Sequence, residues 1–425
     1  MLKKGRELLV NTQMENIKVS ERKNIMKITT HDVAVFSICI YIIFSIVFEF
    51  TAVSLTALSS YALYLCLGCC LFDCLCRKTI RYHAFFGALL VLGMLIWISC
   101  FYTPASQIYT DSRMYRYWTS LVLMFLIMNV KPNSQDIVKI VNSFVIAGAA
   151  LSTYVYAFYG FDTLANSDSR LQNGDFGNVN IVGMYCAFSI ILAIYAIVAL
   201  KKNQVMCVVA SIICLPCVMF SGSRKALLTL IICLLAFVFL YFRNTSLIVK
   251  VLTAFVVLAV IMILVDKISA FEPIKERLMG LFEIFGEGEA TVEGDENRIL
   301  FLTEGYAAFL QKPIFGHGFC YSYHIFGAYS HNNYVELLMC HGVVGFLIYY
   351  SVFVALIIKC HRSTVDLRTK VLVYLVIIKM LVEDVGTVSY YNRMTFLVIA
   401  LLTCFCMDNK RYLSQKDSIS IGETR

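Results

Sequence analysis

Apolar residues fall in long runs along this chain, at about residues 33–49, 52–72, 84–101, 116–130, 137–158, 180–200, 203–220, 225–242, 247–265, 334–358, 371–388 and 393–407. A helix needs about 20 apolar residues to cross a bilayer, so each run reads as one crossing. The pattern predicts an all-α, polytopic membrane helix bundle of about 12 transmembrane helices. It divides the chain into a basic tail over 1–32, helices one to nine over 33–266, a long loop over 267–332, helices ten to twelve over 333–408 and a second tail over 409–425. No apolar core with a small-residue cleavage site follows the first basic stretch closely, so that stretch is expected to be a retained tail.

Composition agrees. Of 425 residues, 59% are hydrophobic and 15% charged, and the mean hydropathy is +0.75. Soluble domains carry about a quarter charged residues, so an aqueous globule is excluded. The net charge of +8 matters less than its placement. With the N-terminus in the cytoplasm, Lys and Arg favour the inner segments by roughly two to one. Both tails are then cytoplasmic, and the 267–332 loop faces outward. Nearly all of the seventeen cysteines sit inside apolar runs, or in a cytoplasmic turn at Cys74 and Cys76, and read as packing thiols, not ligands.

The long loop opens acidic, from Glu272 to Glu296. Arg298–Leu310 has the periodicity of an amphipathic helix lying against the bilayer or the bundle. Lys312-Pro-Ile-Phe-Gly-His-Gly318 then stops it, because Pro313 cannot continue a helix.

Three outward features can carry chemistry. In Ser221-Gly-Ser-Arg-Lys225, Ser221 or Ser223 can cap the eighth helix and place Arg224 in its first turn. A cation at a helix N-terminus opposes the dipole. The pair therefore reads either as an anion site or as an interfacial arginine that snorkels to headgroups. Arg298 follows the acidic stretch, and its position alone suggests an ion pair with Asp295 or Glu296. Ser330-His331-Asn-Asn-Tyr-Val-Glu336 reads as an aromatic-belt edge or as a general base with partners; Glu336 is costly there unless paired. His317, His324 and His331 recur every seven residues, but the aromatic, cysteine-poor loop argues against a metal. Lys139, Lys250 and Lys379 read as structural, whereas Glu383 and Asp384 are candidates for lining the outer cavity or binding sugar. Arg113, Arg116, Arg170 and Arg393 complete an outward basic set suited to an anionic lipid head.

These segments resemble the bacterial O-antigen ligase and polymerase superfamily. Ser221–Leu228 resembles its outward arginine motif. The stretch from Asn297 through Lys312–Phe319 to His331–Leu338 and Gly342–Gly345 resembles its long-loop signature, and Asn178–Gly183 resembles a further segment. The resemblance covers about residues 175–360, while the first 170 match only in hydropathy. It implies a GT-C-like glycosyltransferase of the bacterial inner membrane, with its active site facing outward. Such an enzyme moves an oligosaccharide from undecaprenyl pyrophosphate to an acceptor hydroxyl, without metal or cofactor. Carried over, Arg224 and Arg298 hold the diphosphate and His331 activates the acceptor; Asn332, Tyr334, Ser223, Lys225 and His317 stand beside them as substrate-binding candidates. The loop aromatics Tyr321, Tyr323, Phe326 and Tyr329 offer stacking platforms for sugar. The expected activity is that of a polysaccharide polymerase for O-antigen or capsule, working with a chain-length regulator and a flippase and binding no nucleic acid. The rivals are an O-antigen ligase that uses a lipid A-core acceptor and a non-enzymatic transporter or lipid-oligosaccharide flippase. Transporters tend to show repeat-related halves, and none is visible here.

Overall fold

The computed structural model describes residues 28–49, 53–160, 179–267 and 295–407. Most of the basic N-terminal tail, Arg170, Asn178, the acidic opening of the long loop and the C-terminal tail lie outside them.

Among the described residues the chain is helical throughout, with no strand. In order come α1 (Thr30–Phe48), α2 (Val53–Arg77), α3 (Ala84–Ser99), α4 (Gln107–Val130), α5 (Asp136–Tyr159) and α6 (Val179–Tyr195, extended by a π-turn over Ala196–Leu200). They are followed by α7 (Gln204–Phe220), α8 (Arg224–Tyr241), α9 (Leu247–Lys267), α10 (Asp295–Gln311), α11 (Tyr321–Phe326), α12 (Asn333–Arg362), α13 (Leu367–Asp384) and α14 (Arg393–Phe405). Each apolar run falls on one helix. By length and composition six are able to cross a membrane: Thr30–Phe48, Leu55–Arg77, Asp136–Tyr159, Val179–Leu200, Arg224–Tyr241 and Asn333–Arg362. Ala84–Ser99, Gln204–Phe220 and Arg393–Phe405 are apolar but shorter. The amphipathic helix expected over 298–310 is α10.

The largest departure is α4, which starts at Gln107 although its apolar run begins near residue 116. Tertiary partners hold its polar first turns. The Arg113 guanidinium lies 3.9 Å from the Tyr323 ring centre, and Arg116 pairs with Glu49 at 3.4 Å. Arg393 donates to Thr119 Oγ1 at 3.3 Å. Each of these three arginines thus has a partner within the bundle.

Of the lysines within the apolar runs, Lys139 pairs with Asp32 and Asp136, both at 3.3 Å. Lys379 pairs with Glu383 at 2.6 Å, and Lys250 donates to the Arg243 carbonyl. All have the structural role expected of them.

α12 is broken at Gly342, where φ is 62° and ψ −166°. The turn after α10 repairs the break. Val343 N donates to Pro313 O at 2.8 Å and Val344 N to Ile314 O at 3.2 Å. In return, His317 N donates to Met339 O at 3.0 Å and Gly318 N to Cys340 O at 2.9 Å. Backbone groups freed inside a bundle must be satisfied by protein, so this exchange anchors the long loop in the helix that carries His331 at its entrance.

Candidate functional site

The arginine turn is built locally. Ser221 caps α7 and its Oγ donates to Val218 O at 2.6 Å. The Ser223 Oγ accepts from Ala226 N at 3.3 Å, which starts α8 with Arg224 as its first residue. α6 crosses this turn closely: a Cβ on Gly183 would lie 2.3 Å from Ser221 Oγ. The glycine of the 178–183 segment is therefore needed for packing.

Lys225 reaches across the bundle. Its ammonium donates to Gly386 O at 2.8 Å and to Thr387 Oγ1. From the opposite side, Asn332 Nδ2 donates to Val385 O at 3.1 Å while its Oδ1 caps α12 by accepting from Val335 N at 3.0 Å. Asn333 Oδ1 accepts from Ser389 N at 2.9 Å and Tyr390 N at 3.2 Å. The turn over residues 385–390 thus ties the α8 N-terminus, beside Arg224, to the α12 N-terminus, beside His331. Lys225→Met keeps the apolar stem and removes the donor. Its expected cost is about 1.5–3 kcal/mol, read as a lower thermal midpoint in detergent and largely restored by Lys225→Arg. An unchanged midpoint would show that the link is idle.

His331 adopts a left-handed backbone, φ 57°. Its ring centre lies 4.1 Å from that of Tyr329 and 6.1 Å from that of Phe301, nearly parallel to the latter at 5°. Burial, and then the positive charges of Arg298 and Lys225, push the imidazole down to about 4. It is neutral at pH 7 and can accept a proton. Lys225, Arg298 and His331, from α8, α10 and the entrance of α12, thus share one electrostatic neighbourhood. The side chains of Asp295 and Glu296 lie outside the described residues.

The buried acids are internal. Glu336 accepts from Ser322 Oγ at 2.6 Å and Ser330 N at 2.9 Å, which pins the residue before His331. Asp384 accepts from Asn333 Nδ2 at 3.1 Å, Tyr350 Oη at 2.9 Å and Ser389 Oγ at 2.5 Å. The remaining nominated residues are likewise engaged within the protein. His317 Nε2 donates to Ala308 O at 2.9 Å, and Tyr334 Oη donates to Leu381 O at 2.8 Å. Among the described residues no three His, Cys, Asp or Glu side chains group as a metal site.

The site therefore joins a neutral imidazole to basic residues of α8 and α10. Sequence reasoning missed the 385–390 turn, because its partners are 53–162 residues away, and it missed Phe301 behind His331. No curated protein matches the chain. A family model described as O-antigen ligase matches residues 209–350, about a third of the chain, from within α7 to within α12. That segment contains Arg224, Lys225, Arg298 and His331, and over it the chain is similar to the O-antigen ligase family.

Proposed function

We propose that this protein is a polysaccharide polymerase that joins undecaprenyl-diphosphate-linked repeat units on the outer face of the bacterial inner membrane. One observation carries the reading: His331, neutral and ring-packed, stands in the field of two cations from different helices. Such a centre suits transfer from a diphosphate. The acceptor hydroxyl gives its proton to the His331 imidazole while its oxygen bonds to the anomeric carbon of the donor. The bond from that carbon to the diphosphate oxygen breaks, and the electron pair stays on the diphosphate. Arg224 and Arg298 hold that charge by bidentate hydrogen bonds. Direct displacement inverts the anomeric centre. No metal or cofactor takes part. Ser223, Lys225, Asn332, Tyr334 and His317 hold the frame around these three residues. The topology that fits has about 12 crossings in a GT-C-like bundle, with both tails in the cytoplasm. The chain-length regulator and flippase of the same assembly line are the expected partners.

The family description favours one rival, a ligase with a lipid A-core acceptor. Proteoliposomes supplied with lipid-linked repeat units separate the two. A ladder of lengthening products supports the polymerase, and transfer only onto added lipid A-core supports the ligase.

The electrostatics predict a pH effect. Activity needs neutral His331, so it falls as pH drops through the imidazole pKa, which in the free enzyme is about 4. Removing a neighbouring cation raises that pKa. Arg298→Gln should therefore move the acid limb of kcat/KM to higher pH and weaken donor binding by about 10–100-fold. A limb that stays in place or moves lower contradicts the arrangement.

A further inference from the structure

The structure separates the four loop aromatics expected to stack on sugar, Tyr321, Tyr323, Phe326 and Tyr329. Tyr323 is committed: its ring lies 4.7 Å from that of Tyr109, with the Arg113 guanidinium 3.9 Å from its centre. Tyr329 packs against His331. Tyr321, one face stacked on His317 at 4.2 Å, and Phe326, packed on Phe301 at 4.4 Å, also line a cleft of about 320 Å³ between α10 and α11. Leu300, Glu304, Ala307, Ala308 and Gln311 form its α10 side, and Ile325 completes the α11 side.

The chemistry of this lining is selective. Glu304 and Gln311 stand two turns apart, about 10 Å along the helix, with the two alanines between them as a low floor. A carboxylate and a carboxamide thus stand two turns apart on an otherwise apolar wall faced by Ile325 and two rings. An acyl or prenyl chain would bury the Glu304 carboxylate without a partner. An anion would meet that carboxylate with no cation lining the cleft. A neutral sugar fits: its C–H face packs on a ring or the alanines, and its hydroxyls donate to Glu304 and bond with Gln311.

The cleft is also placed for such a role. Phe326 lies 4.4 Å from Phe301, and Phe301 lies 6.1 Å from His331. Two ring contacts separate the cleft wall from the proposed base. We propose that the α10–α11 cleft is a saccharide subsite holding the sugar next to the one whose hydroxyl reacts, so that it selects the acceptor glycan. This rests on the transfer reading above.

The probe is the soluble repeat-unit oligosaccharide released by mild acid from the lipid-linked precursor, titrated into purified full-length protein by calorimetry. The wild type should bind saturably. Glu304→Ala/Gln311→Ala, at two exposed positions, should weaken binding and raise the acceptor KM by about tenfold or more. Undecaprenyl diphosphate should bind that variant as it binds the wild type. Ala307→Trp, which fills the cleft without touching the polar pair, should have the same selective effect. No saturable binding by the wild type, or equal binding and equal acceptor KM in all variants, overturns the subsite. If the wild type binds the oligosaccharide, the double variant does not, and no transfer occurs, the cleft stands as a saccharide site and the transfer reading falls.

Discussion

His331→Ala is expected to lower the transfer rate by about 10²–10⁴-fold, the usual contribution of a positioned general base. Donor affinity should stay close to that of the wild type, because the diphosphate is held by Arg224 and Arg298. The ring lies between Tyr329 and Phe301, so removing it leaves their scaffold in place. Single-turnover rates and binding of undecaprenyl diphosphate, measured on the same preparation, separate the two effects. The donor should also act on the base. Once a diphosphate neutralises Arg298, the downward push of that charge on His331 is relieved, so the acid limb of kcat should lie at higher pH than that of kcat/KM. Normal turnover in His331→Ala would remove His331 from the mechanism.

Gly342→Ala is expected to act on the fold. Its φ of 62° and ψ of −166° lie in a region that only glycine enters readily. An added Cβ would stand 2.3 Å from Ile314 O and 2.7 Å from Phe315 N, both backbone atoms with little room to yield. Backbone strain alone costs about 1–3 kcal/mol, and the clash forces the 313–318 turn off α12. Four exchanged backbone hydrogen bonds depend on that contact. Membrane yield and the thermal midpoint in detergent should both collapse, while Val343→Ala, at a partly exposed neighbour, should be tolerated. A well-folded Gly342→Ala protein would show that the break in α12 is not required.

Much of this architecture is legible in the chain because a bilayer demands long apolar helices. The twelve runs fall on helices, and the caps at Ser223 and Asn332 stand where short polar side chains precede a helical run. α4 begins early for a reason the runs cannot carry: its polar turns are stabilised by Tyr323 and Glu49, far away in sequence. The site shows the same division. Arg224 can be singled out by charge and position, because charges are scarce in such a chain, whereas Arg298 and His331 gain their roles only through the family resemblance. Lys225 looks like a second anion ligand from its place beside Arg224. Only the fold reveals that its ammonium is spent on Gly386 and Thr387. Asp384 likewise looks like a free outer carboxylate until its three donors come into view.

The central claim is that glycan leaves a polyprenyl diphosphate here and is joined to an acceptor sugar. Proteoliposomes holding the purified protein, a glycan-labelled undecaprenyl-diphosphate repeat unit and a chelator provide the most direct measurement. The account predicts that one undecaprenyl diphosphate is freed for each glycosidic bond formed, that each new bond has inverted anomeric configuration, and that both are lost in His331→Ala. Movement of the intact lipid-linked glycan between leaflets without release of undecaprenyl diphosphate would contradict it.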